Sequence, residues 1–289
     1  MVYIILFFGI GASSSAAILI RLSDADPLII AGYRMIFASA FLIPYALARH
    51  RQETMTLVGS RPVAIVGSGL LLALHFACWI SSLSHTSVAS SAFLVTTNPI
   101  FVGLGAWLIL REHIPTRLIT GTVVALAGTV WISYGDIAVS EHTLFGNLLA
   151  VGGAVALSGH LLLGRSVRQS FSLTPYITVV YSIAAIFLVL VSSLSGESLL
   201  GQPMRDLLLF LFLAIGPQLL GHTSFNYALG RMSPSLLVLL MLAEPIASSF
   251  LALLVLSEPP SLQSLTGGLI ICFGIAIALY EPTRPPRDV

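Results

Sequence analysis

Apolar residues occur in long runs along this chain, and short stretches with proline, glycine, serine or charged residues separate the runs. About 20 apolar residues in a helix cross the roughly 30 Å hydrocarbon core of a bilayer. Measured against that length, the sequence predicts ten transmembrane helices. They span residues 2–20, 28–48, 62–83, 87–110, 118–135, 145–164, 174–195, 206–229, 234–256 and 262–280. Only the connection 49–61 looks like a loop of any size, so no room remains for a soluble domain.

Composition supports an all-α integral membrane protein. Hydrophobic residues make up 56% of the 289-residue chain and charged residues only 9%, whereas a soluble globular protein carries about 25% charged residues. The net charge of +1 gives no reason to expect a nucleic-acid partner. The first 20 residues have no basic segment before their long apolar run, so they predict an uncleaved first helix rather than a signal peptide.

The arginines predict the orientation of the chain. All 13 basic residues are arginine, and ten of them fall in segments on the same side as the N-terminus. These are Arg49, Arg51, Arg61, Arg111, Arg117, Arg165, Arg168, Arg231, Arg284 and Arg287. Arg21 and Arg205 fall on the other side, and Arg34 lies within the second helix. The positive-inside rule therefore predicts cytoplasmic N- and C-termini for a multi-pass protein of the bacterial inner membrane.

The chain contains an internal repeat at a shift of 146 residues. Residues 83–128 align with 229–274 without a gap, and the matches include one proline, one glutamate and two glycines. The matched pairs are Pro99 and Pro245, Glu112 and Glu258, Gly121 and Gly267, and Gly128 and Gly274. We therefore expect two five-helix repeats, 1–139 and 140–289, the second ending in a short cytoplasmic tail. Because five is odd, the second repeat is inverted relative to the first, an arrangement common in secondary transporters.

Both repeats contain a mid-helix proline, an acidic residue that closes an apolar run, and a glycine-spaced helix. The segments read TNPIFVGLGAWLILREHIPTRLITGTVVALAG and AEPIASSFLALLVLSEPPSLQSLTGGLIICFG. On these residues the chain resembles the EamA-type transporters of the drug/metabolite transporter superfamily along nearly its whole length. The resemblance implies ten helices, a central cavity, and export of amino acids or related metabolites, often driven by protons. Where relatives often have Trp-Gly in the first helix, this chain has Phe8-Gly9.

Polar side chains within the apolar helices are the candidates for function, because an ionisable group there costs about 2.5–3.5 kcal/mol on insertion scales. In the eighth helix, Gln218, His222 and Asn226 are spaced four apart and form one polar stripe. The stripe lines a cavity or forms hydrogen bonds between helices. The predicted substrate-binding residues are Arg34, His75, Trp79, Asn98, Tyr181, Gln218, His222, Asn226 and Glu244.

Glu244, His75 and His222 are the predicted proton-coupling residues, since histidine titrates near neutral pH. A structural role for Glu244, with a neutral carboxyl bonded across helices, carries equal weight. Trp79 shares a helix face with His75 and either contacts substrate or packs. A simple hydrogen bond is the favoured role of His160, the remaining mid-helix histidine.

Arg34 has two possible roles. A guanidinium can hold a substrate carboxylate through two parallel hydrogen bonds. Alternatively, Arg34 extends toward the outer membrane interface, which its place near the start of the second helix favours. Glu244-Pro245 and Asn98-Pro99 occupy equivalent places in the ninth and fourth helices, where proline predicts a kink. Sequence alone does not pair Arg34 with Glu244.

The remaining features predict structural roles. Cys78 and Cys272 lie in apolar stretches without metal-ligand spacing, and the familiar enzyme motifs are missing, so we expect no metal, no cofactor and no catalysis. Small residues let helices approach closely, so the four repeated glycines are expected to pack each half together, with dimerisation as an alternative. Glu112 and Glu258 are expected to cap helix ends.

Together these features predict a secondary transporter that exports small metabolites, with amino acids as the leading candidates. Substrate occupies a cavity between helices 1–4 and 6–9, helices 5 and 10 brace the outside, and the halves rock in exchange for protons. An uncoupled facilitator, a membrane sensor or scaffold, and an intramembrane enzyme acting on lipid are the alternatives. Whether the protein is a monomer or a homodimer stays open.

Overall fold

The computed structural model describes residues 1–86, 88–133, 141–256 and 261–280, and these residues are mainly helical. The predicted boundary between the repeats at 139 and 140, Glu258, and the predicted cytoplasmic tail with Arg284 and Arg287 lie outside the described residues. The helices are α1 (Val2–Ser14), α2 (Ala16–Arg21), α3 (Pro27–Arg49), α4 (Arg51–Ser60), α5 (Pro62–Ser82), α6 (Val88–Val95), α7 (Asn98–Leu108), α8 (Thr116–Ser133), α9 (Glu141–Arg168), α10 (Leu173–Leu194), α11 (Met204–Leu213), α12 (Thr223–Leu229), α13 (Pro234–Met241), α14 (Glu244–Leu256) and α15 (Leu262–Leu279). A π-helical segment, Ala214–His222, joins α11 to α12.

Within these described residues, nine helical spans are long and apolar enough to cross a membrane. They correspond to nine of the ten predicted helices. The fifth predicted helix is represented by the shorter apolar stretch Thr116–Ile132. The structure therefore agrees with a multi-pass, all-helical membrane protein, and the count of ten stays a prediction.

The predicted loop 49–61 is wrong, because Arg51–Ser60 forms the helix α4. One side of α4 packs against α10, with Leu57 fully buried and the Glu53 carboxylate accepting the backbone N–H of Ser172 at 2.6 Å. Burial alone would raise the pKa of Glu53. The hydrogen bond from Ser172 and the nearby His50 together lower it by more, so the pKa lies below its ordinary value. A ten-residue helix with charges is too short for the membrane-spanning criterion and was therefore missed.

The fourth and ninth predicted helices are interrupted at the two repeated prolines. α6 ends at Val95 and α7 begins at Asn98, while α13 ends at Met241 and α14 begins at Glu244. Each proline is the second residue of the new helix, where its missing N–H removes no helical hydrogen bond. The regular α-helix is therefore interrupted at the proline in both repeats, where the sequence predicts a kink.

The eighth predicted helix is not a regular α-helix. Residues 214–222 adopt a π-helix that includes Pro217, Gln218 and His222. Proline cannot donate the backbone hydrogen bond of a helix interior, and π-helical turns often occur at functional sites. The wider turn changes the directions in which Gln218 and His222 point, compared with the α-helical spacing assumed from sequence.

The repeated glycines lie at a close contact between α8 and α15, which belong to different predicted repeats. We call Gly121, Gly128, Gly267 and Gly274 the glycine interface. A Cβ added at Gly121 would lie 2.5 Å from the carbonyl oxygen of Gly274, and one at Gly128 would lie 2.7 Å from that of Gly267. Close packing was expected within each half, but the glycines instead join one half to the other. Elsewhere, α3, α5 and α10 contact one another, α9 packs on α5, and the π-helical segment contacts α3.

Candidate functional site

Buried polar side chains from both predicted repeats lie close together between α3, α5, α10 and the π-helical segment. We call Arg34, His75, Tyr181, Gln218, His222 and Asn226 the central polar cluster. Every member is buried, although the helices around them are apolar. Buried polar groups ordinarily find hydrogen-bond partners, so the atoms in this cluster that lack them are informative.

Arg34 does not extend to the membrane interface, and the favoured sequence prediction is wrong. Its side chain is 0% exposed. Nε donates a 2.8 Å hydrogen bond to Oε1 of Gln218, and the guanidinium lies over the Phe76 ring, with Cζ 4.1 Å from the ring centroid. The reason is tertiary: α3 packs against the π-helical segment, which supplies an acceptor closer than the interface. Nη1 and Nη2 have no hydrogen-bond partner.

Aromatic rings form one wall beside Arg34. The imidazole of His75 is parallel to the indole of Trp79, at an interplanar angle of 3° with 6.0 Å between centroids. Nδ1 of His75 lies 3.0 Å from the carbonyl oxygen of Gly153 on α9, so Nδ1 carries the donated proton. His222 contacts His75 at 6.1 Å and Phe76 at 5.1 Å between centroids. Trp79 itself is half-buried.

The rest of the predicted stripe faces α10. The amide Nδ2 of Asn226 donates to the Tyr181 hydroxyl at 3.4 Å and to the His222 carbonyl at 2.9 Å. The hydroxyl groups of Tyr181 and Thr223 lie 3.3 Å apart. Nε2 of Gln218 and Oδ1 of Asn226 are buried without a hydrogen-bond partner. The stripe therefore faces other helices, but its hydrogen bonding is incomplete.

Glu244 lies beside α1, at the break between α13 and α14. Its backbone carbonyl accepts the Ser14 hydroxyl at 3.1 Å, and the Ser248 hydroxyl donates to the Ser14 carbonyl at 3.1 Å. Oε1 is buried and has no hydrogen-bond partner. Glu244 and Arg34, both described, interact electrostatically but form no ion pair within 4.0 Å.

The predicted residue Asn98 is buried at the other repeat-related break. Its backbone carbonyl accepts the Ser158 hydroxyl of α9 at 3.3 Å. The structure therefore places Asn98 against α9, whereas the central polar cluster is built around α3, α5, α10 and the π-helical segment.

A second polar network was missed by the sequence prediction. Ser68 lies 2.9 Å from Nδ1 of His160 and 2.7 Å from the Tyr176 hydroxyl, joining α5, α9 and α10. This agrees with the prediction of a simple hydrogen bond for His160, although its Nε2 has no partner. Phe76, which faces the Arg34 guanidinium, was also missed. Phenylalanine and serine are too common in membrane helices to stand out by residue type.

Glu112 forms an ion pair with Arg165, with 3.5 Å between Oε1 and Nε. Glu112 therefore does not cap a helix as predicted, and its ion pair instead connects the segment before α8 to the end of α9. Among the residues that the structure describes, no group of three His, Cys, Asp or Glu side chains is placed to hold a metal ion.

Comparisons with known proteins agree with this architecture. The sequence model of the EamA-like transporter family matches residues 1–134 and 144–280. An uncharacterized transporter of Archaeoglobus fulgidus is 23% identical over 92% of both chains. The pseudopaline exporter CntI of Pseudomonas aeruginosa is 26% identical over 86% of both chains. A solved crystal structure of a protein has the same fold, with a TM-score of 0.81 and 21% identity over 96% of each chain.

Proposed function

Because this chain belongs to the EamA-like transporter family, we propose that it exports small metabolites across the bacterial inner membrane by proton-coupled alternating access. The leading cargo is an amino acid or a related compound. The observation that carries the proposal is the central polar cluster, which is buried inside apolar helices and includes orphaned donors and acceptors. Groups of this kind are expensive in a membrane and mark transport pathways.

Both predicted repeats contribute to this cluster. Arg34 and His75 come from the first, and Tyr181, Gln218 and His222 come from the second. A substrate held between them would be released to one side or the other as the halves move. All of these residues are buried, and in the proposed cycle this arrangement would be the closed state between the two open ones. Trp79 borders the same space through His75.

The repeat supports a rocking motion. α5 packs on α9, and the π-helical segment packs on α1. The two pairs occupy equivalent places in the 146-residue repeat. The breaks before Asn98 and Glu244 also correspond. Equivalent breaks and equivalent pairings let the same chain adopt an inward-open and an outward-open arrangement that mirror each other.

Glu244, His75 and His222 are the proposed proton-coupling residues. Oε1 of Glu244 is buried without a hydrogen-bond partner, although the carboxylate lies near Ser13. A proton or a cationic substrate group would compensate its charge in part of the cycle. His75 and His222 lie next to each other, with 6.1 Å between ring centroids, so a proton gained by one imidazole disfavours protonation of the other. Proton exchange at these positions would couple substrate release to a pH gradient.

Flux of a mixed amino-acid pool in proteoliposomes, with and without an imposed pH gradient, tests this function. We expect gradient-dependent flux from the wild type, and at least ten-fold less from Glu244→Gln and His75→Ala. The matched controls are Glu197→Gln and His113→Ala, whose side chains are exposed in connections, and both should retain wild-type flux.

Each outcome separates the alternatives. Flux that is equal with and without the gradient, in wild type and Glu244→Gln, indicates an uncoupled facilitator. Absence of flux for every amino acid from correctly folded protein rejects the proposed cargo. Absence of flux for a wider metabolite set, organic acids and amines included, favours a sensor or scaffold instead.

A further inference from the structure

The unpaired side-chain atoms of Arg34 and Gln218 are all hydrogen-bond donors. Nη1 and Nη2 of Arg34 and Nε2 of Gln218 are buried without partners. The orientation of the Gln218 amide follows from chemistry, because Arg34 Nε can only donate and must therefore face the amide oxygen. Gln218 consequently directs its NH₂ group away from Arg34 Nε, and the pair presents N–H donors with no free acceptor.

Arg34 also lacks a built-in counter-ion. Guanidinium remains charged in proteins, and a buried charge without a partner is strongly unfavourable. The Phe76 ring faces the guanidinium, which stabilises a cation through its π electrons but accepts no strong hydrogen bond. Glu244 interacts with Arg34 only beyond ion-pair distance.

We propose that the free Nη1–Nη2 edge of Arg34, together with Nε2 of Gln218, binds a carboxylate group of the transported molecule. This inference rests on the proposed function and specifies its substrate class as small carboxylic acids. A guanidinium edge holds a carboxylate with two parallel hydrogen bonds. The Gln218 amide, which also lies near the Tyr181 hydroxyl, supplies a third donor.

Charge favours a carboxylate over a phosphate. One guanidinium balances one negative charge, whereas a phosphate dianion would leave a net negative charge in a buried site. The carboxylate of Glu244 lies close enough to act on Arg34 electrostatically, and it would repel a second negative charge. The same Glu244 would attract an ammonium group, so the arrangement fits a zwitterion with its acid end at Arg34.

Ligand-induced thermal stabilisation of detergent-purified protein tests the inference without requiring flux. The probes are a pool of L-amino acids, the matched pool of L-amino-acid amides, the N-acetylated amino acids and inorganic phosphate. We expect the two carboxylate pools to raise the melting temperature, and the amides and phosphate to leave it unchanged. Equal stabilisation by acids and amides, or stabilisation by phosphate alone, would overturn the proposal.

Three variants connect that selectivity to the named residues. Arg34→Lys and Gln218→Leu should weaken the apparent affinity for the carboxylate pools at least ten-fold, because lysine loses the paired donors and leucine loses the amide. Arg231→Gln is the control, since Arg231 is exposed and contacts Tyr227. Unchanged acid selectivity in folded Arg34→Lys and Gln218→Leu would contradict the assignment.

The flux and binding experiments can reject the transport function and the carboxylate site independently. Acid-selective stabilisation that depends on Arg34, without flux of any acid in proteoliposomes, supports the carboxylate site and rejects the transport function. Flux that carries acids and amides equally well supports transport and rejects the carboxylate site.

Discussion

Two buried arginines have opposite surroundings. Arg168, at the end of α9, is 8% exposed, and it donates from Nε to the Asn226 carbonyl at 3.1 Å and from Nη1 to the Phe171 carbonyl. Arg34 is fully buried, yet only its Nε is bonded, to Gln218. Arg168 therefore ties helix ends together, while Arg34 keeps donors free at the centre. Hydrogen bonds from Nε and Nη1 to backbone carbonyls mark Arg168 as structural, whereas both Nη atoms of Arg34 are left for a ligand.

Replacing Arg168 by an apolar residue gives the largest expected effect on stability, and the matched replacement at Arg34 a much smaller one. Arg168→Met should lower the free energy of unfolding by about 3 kcal/mol, because two charge-assisted hydrogen bonds are lost. The double variant Arg34→Met with Gln218→Leu should change it by less than about 1 kcal/mol, since both partners of one bond are removed together.

Chemical unfolding in detergent, followed by circular dichroism, measures the change in the free energy of unfolding for Arg168→Met and for the double variant. A double variant as unstable as Arg168→Met would show that Arg34 is part of the structural framework, and the contrast between the two arginines would disappear.

The glycine interface extends the contrast to packing. Gly274→Ala should destabilise by about 1–3 kcal/mol, the usual cost of overpacking, because its Cβ would lie 2.5 Å from the Gly121 carbonyl oxygen. Gly268→Ala, on the same helix, is the matched control, since its Cβ would meet Ile246 at an ordinary 3.5 Å. Thermal melts that rank the two variants equally would contradict a tight α8–α15 contact.

The polar network of Ser68, His160 and Tyr176 should behave as structure even near the site. Ser68→Ala removes contacts to His160 and Tyr176, and we expect a loss of about 1 kcal/mol with unchanged preference for carboxylates in the thermal-shift assay. Ser60→Ala, whose exposed hydroxyl bonds only the preceding turn at Thr56, should have no measurable effect on the melting temperature. Altered ligand selectivity in Ser68→Ala would instead assign this network to the substrate site.

The smallest effect is expected at the surface contact of α4. The pKa of Glu53 is lowered in the folded protein, so its contribution is present above the ordinary glutamate pKa and is lost as pH falls through the folded value. Solvent screening limits that contribution to about 0.5 kcal/mol. Glu53→Gln should therefore match wild-type stability near pH 3 and be slightly less stable at pH 7. A stability difference between wild type and Glu53→Gln that grows as the pH falls would contradict this prediction.

Sequence alone predicted most of the helices and singled out several polar residues that the structure buries, for two physical reasons. A bilayer demands about 20 apolar residues per crossing, so nine helical spans of the described chain appear as hydrophobic runs. Polar residues inside such runs are costly, which is why Gln218, His222 and Asn226 stood out and why all three are buried.

Contacts between distant segments were decided only by the tertiary structure. Arg34 and Gln218 are 184 positions apart, and no local pattern brings them together or predicts which guanidinium nitrogens stay free. The cross-half pairing of Gly121 with Gly274, the π-helical turn around Pro217 and the short helix α4 likewise depend on neighbouring helices. Helix location follows from the transfer of each segment out of water, a local property, whereas the choice of partner depends on how the helices pack together.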